Sequence, residues 1–147
     1  MTAAELCLVI LLTPGINGAQ IRNGCALSQS FIDSGARHKL DPLVLAAIAW
    51  KETGFNPRLI GSSGECGPMQ VLPQHSQYTC RELGGTFGVE GGAQALKRWL
   101  RGMSTYSAIY RYNCGHPNKK RCAAYRADVI RKIGALRRSP LRLIITG

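Results

Sequence analysis

Acidic residues are scarce in this chain: eight Asp and Glu stand against nineteen Lys and Arg. So few carboxylates can be weighed one by one as catalytic or ligating groups. Aromatic residues make up only 7% of the sequence, so stacking on sugars or bases rests on a handful of rings. No stretch is long and apolar enough to span a bilayer as a helix. Internal repeats and low-complexity segments are also missing, which sets aside solenoids and disordered tails.

The 147 residues suit one compact domain, and a hydrophobic content of 45% is enough to build a core. A net charge of +11 calls for an anionic partner: nucleic acid, acidic lipid or an acidic wall polymer. Six cysteines in so short a chain point to an oxidising compartment. The spacings Cys66 to Cys80 and Cys114 to Cys122 suggest two local loops, each closed by a disulfide, leaving Cys7 and Cys25 over. Cys114, His116 and Cys122 with one further cysteine make a zinc reading, but the short Cys-x-x-Cys knuckle is missing, and disulfides are preferred to metal.

Residues 1–19 contain the apolar run Leu6 to Leu12, followed by Thr13-Pro14-Gly15 and by Ala19 before Gln20. This resembles a short export signal or N-terminal anchor, although Glu5 stands where a positive charge is usual. The alternative is a helix packed on the domain. The domain itself is expected over residues 20–138, with a basic and apolar tail over 139–147.

A first helix is expected at about Cys25 to Lys39, turning Leu27, Phe31 and Ile32 inward. The next has clear ends, with Asp41 as N-cap, Pro42 in the first turn and Gly54 at the left-handed stop. Between them, Leu43 to Trp50 is apolar on every side, the mark of a core helix. An irregular segment rich in Gly, Ser and Pro follows from Asn56 to Pro73. A short helix is expected over Gln74 to Leu83. Gly84-Gly85 and Gly91-Gly92 then bracket the start of one that reaches Met103. Further helices cover about Thr105 to Asn113, ending before Gly115 and Pro117, and Cys122 to Arg138. In the last, Tyr125, Val129, Ile133 and Leu136 form one stripe.

Glu52 closes the apolar helix between Trp50 and Phe55. Partial burial and the negative end of the helix dipole both raise its pKa, as a general acid for glycoside cleavage requires. A solvated glutamate beside Lys51 is the plain alternative. The context decides between them, because three motifs occur in order: Glu52-Thr53-Gly54-Phe55-Asn56-Pro57, Gly67-Pro68-Met69-Gln70-Val71 and Tyr112-Asn113-Cys114-Gly115. Together they resemble the soluble lytic transglycosylase family, close to goose-type lysozymes. That family has Glu-Ser ending a core helix, Asn-Pro after it, then Gly-Leu-Met-Gln and Tyr-Asn-x-Gly. Tyr125 with Val129 resembles its late Tyr-x-x-x-Val, and the likeness runs from about Leu27 to Ile133. Thr53 in place of Ser keeps the hydroxyl, Pro68 in place of Leu stiffens the turn, and Cys66 and Cys114 place cysteines within or beside two motifs.

The resemblance implies a mainly helical, lysozyme-like α+β domain with a groove for peptidoglycan glycan strands. It makes Glu52 the catalytic acid, which protonates the bond between N-acetylmuramic acid and N-acetylglucosamine, with the muramic C6 hydroxyl closing a 1,6-anhydro ring. It places Gln70 at the reacting sugar and Tyr112 beside Glu52. Thr53, Met69 and Asn113 complete the implied site, Met69 more as cleft floor and Asn113 more as a loop anchor. No cofactor is implied. Action outside the cytoplasm follows, at the periplasm and cell wall or on a virion, within a secretion or conjugation machine or at phage entry. Hydrolysis is the rival chemistry and needs a second carboxylate; Glu65 is the only other one in the motif region, and its plain reading is a surface charge near Arg58. An inactive wall-binding scaffold is the rival of another class. Nucleic acid is disfavoured, since the basic C-terminal third (Lys119, Lys120, Arg121, Arg126, Arg131, Lys132, Arg137, Arg138 and Arg142, against the single acid Asp128) has little aromatic interleaving.

Overall fold

The helix Pro42–Thr53 lies at the centre of the molecule because nothing on it prefers water: Leu43 through Ala49 are all buried. The Asp41 carboxylate accepts a hydrogen bond from the Leu43 amide at 2.9 Å, and Pro42 presets the first turn. At the other end Gly54 takes the left-handed conformation (φ 62°), and its N–H returns to the Trp50 carbonyl. The structure, a computed structural model, describes residues 1–114, 119–141 and 144.

Seven α-helices occur among the described residues: α1 (Ala3–Leu12), α2 (Gly18–His38), α3 (Pro42–Thr53), α4 (Cys80–Leu83), α5 (Gly88–Trp99), α6 (Thr105–Cys114) and α7 (Lys119–Arg137). Helices α2, α5 and α7 pack against α3, α1 lies along α2, and α6 is held between α5 and α7. The inward stripe of α7, Tyr125, Val129, Ile133 and Leu136, is buried as its spacing predicts. The architecture is mainly helical and lysozyme-like, and its β component among the described residues consists of two isolated bridges, Ile60 with Cys66 and Cys66 with Val71.

Several elements differ from the sequence expectation, each for a physical reason. Helix α2 starts at Gly18 rather than Cys25, because Asn17 caps the Gln20 amide while the Gln20 side chain returns to the Asn17 amide. The helix expected over Gln74 to Leu83 is instead a 3₁₀ turn, Pro73–His75, and the separate α4, which Thr79 and Glu82 start with a capping box of their own. Gly91 and Gly92 lie inside α5 rather than before it, and α5 ends at Trp99, short of Met103. They are needed there for close approach: a Cβ at Gly92 would overlap Met69, and one at Gly91 would overlap Leu83.

Residues 1–19 fold onto the domain. Leu6, Val9 and Ile10 of α1 are fully buried, and Cys7 is bonded to Cys25 of α2. The other two disulfides are Cys66–Cys80 and Cys114–Cys122, as the spacing suggests. Gly115, His116 and Pro117, the Lys119 side chain, and Arg142, Leu143 and Ile145 of the tail lie outside the described residues.

One buried polar cluster ties α2 to α5. Glu90 accepts hydrogen bonds from Ser34 (2.8 Å) and Arg37 (2.6 Å) and meets His38 Nε2 at 2.6 Å. Burial alone would raise the pKa of Glu90, but the bonds from His38, Ser34 and Gln94 outweigh it and hold the carboxyl below its ordinary value. An exposed helical Gly→Ala change gains up to ~1 kcal/mol. Gly92→Ala is predicted to lose about 1–3 kcal/mol instead, because Met69 must move, and urea denaturation reads the sign directly.

Candidate active site

Glu52 sits in the last turn of α3, partly buried, with its side chain turned towards α7. There the Tyr125 hydroxyl donates to Glu52 Oε1 at 2.7 Å. Lys51 leads away from the site and pairs with Asp128 at 2.7 Å, an interaction that, with Lys132, holds Asp128 down at about 2. Burial pushes Glu52 up to about 7, against the smaller opposing pulls of the Tyr125 bond and the Lys51 charge. The Glu65 charge also raises it, and Arg121 lowers it. Near neutral pH this carboxyl is therefore divided between its protonated and ionised forms.

The tyrosine that meets Glu52 is Tyr125, whereas the resemblance points to Tyr112. The Tyr112 hydroxyl instead donates to the Met69 carbonyl at 2.7 Å. Burial raises both hydroxyls well above the usual tyrosine range, and the Glu52 charge adds to it, so both remain donors. A sequence signal for Tyr125 was present: a buried tyrosine on the inner stripe of α7 needs a partner for its hydroxyl. What the sequence does not show is which partner, seventy-three residues away.

The second motif is fixed by the first and the third. Thr53 Oγ1 donates to the Pro68 carbonyl at 2.8 Å, one residue before the carbonyl that Tyr112 takes. Adjacent carbonyls of one loop are thus pinned by α3 on one side and α6 on the other. Met69 is fully buried in the core. Gln70 adopts a left-handed backbone (φ 52°), and its Nε2 donates to the carbonyls of Leu59 and Gly67, both at 2.9 Å. Its amide protons therefore hold the loop together. Gly67 (φ 81°) must be glycine, since a Cβ there would overlap the Leu83 carbonyl.

Glu65 does not pair with Arg58 among the described residues. Its carboxylate accepts the Ser63 amide at 3.0 Å and lies over Gly61 beside Gln70 Oε1. Asn113 is partly buried at the end of α6, next to Cys114. The Cys66–Cys80 bond anchors the Gln70 loop to α4, and Cys114–Cys122 joins α6, which carries Tyr112, to α7, which carries Tyr125.

A mainly helical core, an apolar central helix ending in a partly buried glutamate, and a glycine-bearing loop pinned beside it define a lysozyme-like domain. The Transglycosylase SLT domain family matches residues 29–133, most of the chain, and the chain belongs to that family. The family's activity is the lytic cleavage of peptidoglycan, a substrate outside the cytoplasm, where three disulfides are at home. No solved structure was found to match the chain.

Two outcomes follow from the ionisation of Glu52. Its pKa is raised on folding, so its contribution to stability is complete below its ordinary value near 4.5 and is lost as pH rises through about 7. Glu52→Gln should therefore melt higher than the parent above pH 7, by a free energy on the order of 2–4 kcal/mol. Near pH 4 the two should coincide. Tyr125→Phe removes a bond that favours the carboxylate, so the Glu52 titration followed by carbon NMR should move upward.

Proposed function

We propose that the chain is a lytic transglycosylase in which Glu52 acts first as acid and then as base. Glu52 gives its proton to the oxygen of the β-1,4 bond between N-acetylmuramic acid and N-acetylglucosamine. As the C1–oxygen bond breaks, the muramic C6 hydroxyl attacks C1 and returns its proton to Glu52. The product is a 1,6-anhydro-muramic end, with no water consumed. An intramolecular nucleophile held close to C1 replaces the bimolecular attack that a second carboxylate would otherwise have to activate.

The observation that carries this reading is the state of Glu52: a partly buried carboxyl at about 7, hydrogen-bonded by Tyr125. A group with a pKa close to the working pH donates and recovers a proton with least loss in either direction. Gln70 Oε1, Thr53 and Asn113 are the proposed substrate contacts, with Met69 and Tyr112 shaping the floor and wall. The biological setting proposed is local opening of the wall in the periplasm, as a secretion or conjugation machine requires, or from a virion at phage entry.

Hydrolysis is a second reading, supported by one observation: the Glu65 carboxylate is close enough for its charge to reach Glu52. In that case Glu65 would assist a water, and the released ends would be reducing.

Mass spectrometry of fragments released from purified peptidoglycan separates the readings. Anhydro ends are expected, and Glu52→Gln should lower release by at least about a thousandfold, as loss of a principal acid–base group does. Reducing ends that vanish in Glu65→Gln would establish hydrolysis. Persistent release by Glu52→Gln would remove Glu52 from the mechanism.

A further inference from the structure

Helix α7 is basic along its length with one exception. Its nineteen residues hold seven Lys and Arg and a single acid, Asp128. The Asp128 carboxylate meets Lys51 Nζ of α3 at 2.7 Å, Arg131 of its own helix at 3.0 Å and Lys132 Nζ at 3.3 Å. The hydrogen bond from Lys51, helped by Lys132, overcomes the effect of burial and holds its pKa at about 2. Asp128 is therefore a fixed negative charge near neutral pH.

This charge lies beside the acid. Three consecutive residues run to the end of α3, and α7 meets each of them. The Lys132 ammonium lies over the Trp50 ring at 4.8 Å, Asp128 takes Lys51, and the Tyr125 hydroxyl donates to Glu52. Tyr125 and Asp128 are three residues apart, so neighbouring positions on one face of α7 engage Glu52 and Lys51 together. Ion pairs open to solvent add little to stability, so the weight of this one lies in where it puts a cation. Lys51 adjoins Glu52 in the chain, and its charge favours the ionised carboxylate. A lysine stem is long and flexible, and without an anchor it can turn its ammonium towards a neighbouring anion. The other titratable groups that act on Glu52 are Tyr125 and Arg121 of α7, Tyr112 of α6 and Glu65 of the loop. Of these Glu65 alone is an acid, and it is engaged by the Ser63 amide.

We propose that Asp128 is a positioning residue for the reaction, a role that rests on Glu52 being its acid: it fastens the Lys51 ammonium to α7 and keeps a mobile cation from pairing with Glu52. Charge fixes the direction of its effect. Without the Asp128 carboxylate, a freer and uncompensated Lys51 favours ionised Glu52, and the lost negative charge acts in the same sense. Glu52 then gives up its proton at lower pH, and the acid form needed for bond cleavage is depleted near neutrality. Removing Lys51 has the opposite sign, because it deletes the cation and leaves Asp128 less compensated. A tie that merely held α3 to α7 would give the same result whichever end was cut.

The test follows the Glu52 carboxyl by carbon NMR in the full disulfide-bonded chain, alongside the pH dependence of fragment release from purified peptidoglycan. Asp128→Asn should lower the Glu52 titration by at least about half a pH unit, and the alkaline limb of the pH–rate profile should move down with it. Asp128→Glu should restore most of the shift. Lys51→Met should move the titration upward, and in Asp128→Asn/Lys51→Met the downward shift should vanish. An unmoved or raised titration in Asp128→Asn overturns the proposal, as does a downward shift that survives in the double variant. If Asp128→Asn does not fold, Lys51→Met decides alone, and an unchanged or lowered titration there is equally fatal. A titration that moves while the rate profile stays still overturns Glu52 as the acid, and the role of Asp128 falls with it.

Discussion

The rest of the site depends on one unfavourable placement, a carboxyl set at the end of a helix that otherwise avoids water. Desolvation holds the proton on Glu52, and the Tyr125 hydroxyl keeps that desolvation from trapping it there. Neither influence alone gives a group that both donates and accepts near neutrality. The helix that creates the first is the core of the fold, and the helix that supplies the second packs directly upon it. Fold and ionisation are therefore one problem here, since any change that lets water reach the end of α3 also changes the acid.

The surrounding loop is ordered by hydrogen bonds more than by regular structure. Pro68 and Met69 offer consecutive carbonyls to Thr53 and Tyr112, and Gln70 closes the loop on Leu59 and Gly67. Thr53 and Tyr112, from the first and third motifs, thus act on the backbone of the second. Among the described residues, side chains order this loop where a sheet is reduced to two isolated bridges at Cys66.

How much of this was legible in the sequence differs by element. Helix α3 was readable because its caps and its apolar run agree, and Glu52 was readable because it interrupts that agreement. The stripe of α7 was readable from periodicity, but the bond from Tyr125 to Glu52 was not, because contacts between distant segments leave no local pattern. Gly91-Gly92 looks like a helix breaker and is instead a seat for Met69 and Leu83, since close packing overrides propensity. The early start of α2 was missed because its box uses Asn and Gln in place of the commoner pair. Residues 1–19 show the limit most clearly. An apolar run beside a small-residue junction describes an export signal and a packed hairpin equally well, and no local pattern announces that Leu6, Val9 and Ile10 reach the core.

The three disulfides share a topological property. Each joins a cysteine to the next one along the chain, at separations of 18, 14 and 8 residues. Of all the pairings six cysteines permit, this is the one met in order by a chain threading N-terminus first into an oxidising space. Every correct partner arrives before any wrong one from further along, so an oxidant suffices and no reshuffling of bonds is needed. For a domain that acts outside the cytoplasm, the order of its cysteines is itself an assembly instruction.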